Sequence, residues 1–164
     1  MLTLCQHCGA PVALPELLPW ERIAGNYYVK RAVEVACTGG HTLALHTPAG
    51  LEVDALSFRQ WALEHGAGAV VIVTPCPCGY FGDSCHECTC SKELIAEHRR
   101  SPAWQQAVNC DMHIDVVRPS YQQIVAVTTG KAQEASEKAA SRIDAAKRFC
   151  NEHSINPTLG ETSY

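Results

Sequence analysis

The chain has 164 residues, enough for one buried core and short for two independent ones. Apolar residues make up 46% and charged ones 18%, which excludes the disordered class, and a net charge of -4 excludes a general electrostatic attraction to phosphate backbones or anionic lipid. No apolar stretch approaches bilayer length, and Met-Leu-Thr-Leu-Cys at the start puts no basic residue before an apolar run. The reading is therefore no membrane contact and a cytoplasmic location, where ten cysteines point to metal ligands or reactive thiols before disulfides.

In chain order, residues 1–20 read as a Pro-rich appendage with a zinc-knuckle-like Cys5-Gln-His-Cys8. From Ile23 to Cys37, Val29, Ala32, Val33 and Ala36 recur at helical spacing, and Gly39-Gly40 supplies the stop. Thr42 to His46 is the pattern of a buried strand that runs into the loop Thr47-Pro-Ala-Gly50. Asp54 is placed to cap a helix to His65, broken by Gly66 and Gly68, and Val70-Val-Ile-Val73 is the strongest strand. Strand, helix, strand at this spacing predicts a right-handed crossover and a parallel pair. Ser91 can cap a helix to about Arg100, Met112 to Val117 reads as a third strand, and Ala132 to Cys150 line one face of a long Ala-rich helix. The predicted fold class is α/β, a small parallel sheet flanked by helices, with residues 21–120 as core, 75–90 as a Cys-rich loop and 121–164 as a helical segment and tail.

In Cys76-Pro-Cys78-Gly-Tyr-Phe-Gly-Asp-Ser-Cys85-His-Glu-Cys88-Thr-Cys90, two Cys-x-Cys pairs flank a loop with glycines for the return turn. Four thiolates converging from Cys76, Cys78, Cys88 and Cys90 make the closed tetrahedron of structural zinc, with an iron-sulfur cluster as the competing occupant. The loop has almost no apolar side chains, so metal binding would supply its ordering free energy. Cys85 and His86 are spare ligands. No histidine is followed by Glu at the His-x-Glu spacing of zinc deaminases, so a catalytic zinc is not expected. Cys5 and Cys8 form half a site, with Cys37 and His41, Cys110 and His113, or a second chain as candidate partners, and Cys37 reads equally as a small core residue.

The segment Thr74-Pro-Cys-Pro-Cys-Gly-Tyr-Phe-Gly-Asp83 with Cys88-Thr-Cys-Ser91 closely resembles the cysteine segment of magnesium-chelatase-like AAA+ ATPases of the ComM (YifB) branch. Residues 21–50, Asp111 to Val116, and the stretch from Arg142 to Leu159 are similar to that family in the same order. The resemblance implies a reduced AAA+/P-loop-like core whose motor parts are missing. Thr47-Pro-Ala-Gly50 is followed directly by Leu-Glu-Val-Asp54, without the lysine and magnesium-binding hydroxyl of a phosphate loop. Gly130-Lys131 lacks the required spacing, and no strand ends in an acidic pair. With lysine, metal and arginine all gone, phosphoryl transfer is not expected.

The comparison also gives Cys37 and Cys110 positions where such proteins carry apolar residues, so that the two would complete a second metal site with Cys5 and Cys8. The expected function is a non-catalytic zinc-binding module, with one or two ions, that acts through a protein partner. The alternatives are an ATP-binding or DNA-processing protein of the ComM type, or a nucleic-acid-binding zinc protein, against which the acidic balance and the absence of an aromatic-basic stripe both count.

Overall fold

Three strands whose side chains alternate between two buried surfaces organise the protein in a computed structural model, which describes residues 3–4, 11–12, 15–130 and 134–157. A short antiparallel pair, β1 (Thr3–Leu4) and β2 (Pro11–Val12), precedes the main body. The main sheet holds β3 (Thr42–His46), β4 (Ala69–Val73) and β5 (Met112–Asp115), all parallel in the order β4-β3-β5. The expected parallel pair is β3 with β4, in register from Thr42 against Ala69 to His46 against Val73. The third strand returns to the opposite side of β3, which makes the middle strand the most buried: Leu43, Ala44 and Leu45 are fully covered.

The larger core lies on the face reached by Leu43 and Leu45, under α1 (Tyr27–Gly39), α2 (Glu52–Glu64) and α6 (Ser136–Glu152). Of the expected stripe of α1, Val29, Val33 and Ala36 are buried and Ala32 is half-buried, Cys37 joins them, and the helix is capped by Gly40, whose φ of 69° is the left-handed value a glycine accepts without a Cβ penalty. The start of α1 is later than Ile23 because the chain first makes a 3-10 turn at Trp20–Arg22 that buries Trp20 and Ile23. Trp20 stacks on Trp61 with ring centroids 4.1 Å apart and meets Phe58 edge-on at 5.9 Å, while the Leu18 amide donates to Ser57 Oγ at 2.8 Å. Trp20 thus belongs to the core although it falls in the segment read as a Pro-rich appendage, and Ile23 is a core residue that precedes the helix it was expected to start.

The opposite face of the sheet, reached by Ala44 and Val73, is covered by α4 (Pro102–Val108) through Trp104 and Ala107. This helix and α5 (Tyr121–Thr128) are absent from the sequence reading. Before α4 comes α3 (Lys92–His98), whose N-cap Ser91 accepts from the Leu94 amide as expected. Helix α2 starts at Glu52 with Leu51 at the N-cap, so Asp54 lies inside the first turn and is not the cap.

The last helix is docked by charge as well as by Ala139 and Ile143. Arg142 donates through Nε and Nη2 to the Glu34 carboxylate on α1 (3.0 and 2.5 Å) and through Nη1 and Nη2 to Glu134, and Glu34 is only 5% exposed. Arg142→Ala strands that carboxylate with Arg31 as its remaining partner. Because Arg142 is half exposed, solvent screens part of the loss, and the expected cost is about 1–2 kcal/mol, read by urea unfolding. No helix among the described residues is long and apolar enough to cross a membrane.

Candidate metal centre

The chain leaves β4 through Pro75 and turns back on itself twice before Ser91. Gly79 has a φ of 79°, and a Cβ there would lie 2.6 Å from the Ala49 Cβ, so the turn needs both the left-handed conformation and the missing side chain. That close approach is fixed by a hydrogen bond from the Ala49 amide to the Gly79 carbonyl (3.1 Å).

The result brings together the four cysteines that spacing selected. Ligand atoms of Cys76, Cys78, Cys88 and Cys90 all lie within 4.8 Å of one another, with Sγ separations of 3.3 Å for Cys76–Cys78 and 3.6 Å from Cys88 to each of them. Sulfurs about 2.3 Å from a tetrahedral zinc stand about 3.8 Å apart, so Cys76, Cys78 and Cys88 need only breathe outward slightly to hold the ion, with the Cys90 sulfur within 4.8 Å of each. The donor set fits a thiophilic metal. Cys76 Sγ also accepts from the Phe81 amide (3.3 Å), the kind of backbone support that orients a ligand and offsets thiolate charge.

Charge is unevenly shared among the thiols. The Tyr80 amide, opposed by burial, leads the groups that bring Cys78 down to about 6. At Cys88 the Cys90 amide pulls downward, but burial and the neighbouring thiols win and push it up to about 12, and Cys90 also moves upward. Four crowded thiols do not all ionise unless a cation compensates them, so binding releases protons and weakens as pH falls.

A second layer holds the loop. Asp83, 1% exposed, accepts from the amides of Cys85 (2.7 Å) and His86 (2.9 Å) and from Arg118 Nε (2.7 Å). Arg118, just after β5, also donates to the Ala49 carbonyl (2.6 Å), so one guanidinium ties the cysteine loop to the loop after β3. Burial pushes the Asp83 carboxyl up, yet the Cys85 amide, Arg118 and the His86 amide bring it down to about 2. A carboxyl depressed from its ordinary 3.8 contributes stability that is fully present above about pH 4 and is lost as pH falls through about 2. Arg118→Ala is expected to lower the melting temperature and hasten metal release to a chelator, with the gap to wild type narrowing between pH 4 and 2. An unchanged release rate would assign Arg118 no part in holding the loop. No sequence signal pointed to this arginine, which lies 28 residues beyond the last cysteine of the loop.

Among the described residues this cluster is the one group of three or more potential ligands close enough to share an ion. Cys5 and Cys8 lie outside the described residues. Cys37 is fully buried in the larger core and bonds to the Ala62 carbonyl (3.4 Å), with its thiol pushed up to about 11 by burial. Cys110 packs on the other face of the sheet, against the Trp104 cluster. The sheet stands between them, so Cys37 and Cys110 do not meet at one ion, and Cys37 occupies the core position that was its other reading. His41 faces the Pro157 carbonyl (3.1 Å), and His113 pairs with His46 (3.1 Å). Cys85 is exposed and outside the tetrad.

Residues 47–51, the segment that the resemblance compares with a phosphate loop, follow β3 and lead into α2. Its donors are spent within the protein: the Thr47 amide on Val73 O (2.8 Å), Ala49 on Gly79 O (3.1 Å), Gly50 on Glu52 Oε1 (2.9 Å) and Leu51 on Pro48 O (3.3 Å). Pro48 has no amide hydrogen, and the Glu52 carboxylate takes the place at the helix start that an anion would use.

No protein-family model, curated protein or solved structure matches this chain, so the site rests on its own geometry: a preformed cluster of four cysteine thiols beside a strand-end loop whose backbone donors are already engaged.

Proposed function

We propose that the protein is a non-catalytic, zinc-stapled interaction module built on a reduced AAA+-like core, with the ion held by Cys76, Cys78, Cys88 and Cys90. The observation that carries the non-catalytic part is the closed donor inventory of residues 47–51. A phosphate-binding loop works by aiming several free amides at an anion, and here a glutamate oxygen and three carbonyls receive them. The interaction part is supported by α5, which buries no residue of its own and presents Tyr121 at 80% and Ile124 at 47% exposure.

Calorimetric titration of the zinc-loaded protein with Mg-ATP, alongside a phosphate-release assay, tests the reading. The expected result is no heat of binding and no turnover. Binding tighter than about 1 mM, or hydrolysis removed by a substitution in residues 47–52, would restore the nucleotide-binding alternative.

A further inference from the structure

The topology places a crevice at the carboxyl end of the central strand. Strand β3 hands the chain to β4 on one side, and the return to β5 lands on the other, the arrangement beside which open α/β sheets hold their ligands. A cleft of about 300 Å³ lies there, on the α4 face, with His46 from the end of β3, Asp115 from the end of β5, Pro75 and Phe81 from the cysteine loop, Trp104 from α4, and Arg99.

Its walls are fixed. Trp104 Nε1 donates to the Thr74 carbonyl (2.9 Å), and the His46 ring meets the indole edge-on at 5.1 Å while bonding to His113. The Arg99 guanidinium lies 5.3 Å from the Trp104 ring and 5.4 Å from the Phe81 ring, held by two aromatic faces. Contact with the rings leaves its N–H edge available, and among the described residues its side chain has no carboxylate partner within ion-pair distance. Asp115 lines the same cleft and likewise forms no ion pair or side-chain hydrogen bond among the described residues, and its charge opposes the burial that lowers the His46 pKa.

Two opposite charges that share one cleft and do not neutralise each other are complementary to a ligand carrying both signs. A simple anion would meet Arg99 at the cost of Asp115, and a simple cation the reverse. We propose that this cleft binds a small zwitterion of the α-amino-acid type, its carboxylate on Arg99, its ammonium on Asp115 and its apolar part against Pro75, Phe81 and Trp104. The inference rests on the metal-stapled reading in one respect, since Phe81 belongs to the loop that the ion orders.

The test uses the full chain with zinc content measured by mass spectrometry. L-leucine is titrated beside 4-methylpentanoate, which lacks the ammonium, and 3-methylbutylamine, which lacks the carboxylate, following heat and the Trp104 indole resonance. Leucine should bind, each truncated compound should bind at least about tenfold more weakly, and Arg99→Gln and Asp115→Asn should each weaken leucine by a similar factor with melting temperature and zinc content unchanged. Equal binding of 4-methylpentanoate, or its strengthening by Asp115→Asn, would make this a plain anion site and overturn the proposal. A chain that carries zinc and ignores leucine sinks the cleft and leaves the metal reading intact, whereas one that lacks zinc and binds leucine does the opposite.

Discussion

Chelation of the metal at neutral pH is expected to lower the melting temperature by about 10 °C or more and to leave residues 75–90 without fixed structure. Cys76 is the loop's one buried hydrophobic side chain and Phe81 is 46% exposed, so apolar packing does not hold it closed. Structural zinc contributes folding free energy outright, and each kcal/mol shifts the midpoint of a chain this size by about 2–4 °C. Cys88→Ser should reproduce most of the loss, since it opens the tetrad, while Cys85→Ser should not, since that thiol lies outside it. Elemental analysis of protein purified without added metal reads the stoichiometry. One zinc per chain confines the ion to this loop, two assign a further site to Cys5 and Cys8, and iron replaces the structural role with a redox one. Full stability and unchanged loop amide resonances after chelation would rule out the staple.

Trp20→Ala is expected to cost about 3–5 kcal/mol, the range for deleting a large aromatic side chain from a core that relaxes only partly. The indole is 2% exposed, stacked on Trp61, edge-on to Phe58 and within 5.5 Å of the Lys30 ammonium. Urea unfolding followed by far-UV circular dichroism measures it. A loss below about 1 kcal/mol would show that residues 18–23 are attached to the core and not part of it.

Much of this architecture was legible because its signals are local. Thr42–His46 and Val70–Val73 are short apolar runs between turn residues, the α1 stripe has helical spacing, and the tetrad is two Cys-x-Cys pairs one loop apart. What was not legible depended on partners far away in sequence. Trp20 looked like part of a Pro-rich linker because its stacking partners arrive only at Phe58 and Trp61. Helix α4 carries a readable start, Pro102 after Ser101, and α5 has a full capping box between Ser120 and Gln123, but both are too short for periodicity to announce them. The pairing of Cys37 with Cys110 could be judged only when the sheet came between them. The role of Arg118 needed three segments in place at once.

The order of the strands also bears on how the chain finds its fold. Strand β5 must travel back past β4 to pair with β3, bringing Asp111 against Thr42 across 69 positions, and long-range pairing of this kind is what slows folding. The cysteine tetrad lies wholly within that return path and its members are close neighbours along the chain. An ion captured early would tie off the middle of the path, shorten the effective loop and lower the entropy of closure before any strand has paired. A bound metal would then act on the search as well as on the finished structure, and refolding from denaturant should run faster with zinc present than without it.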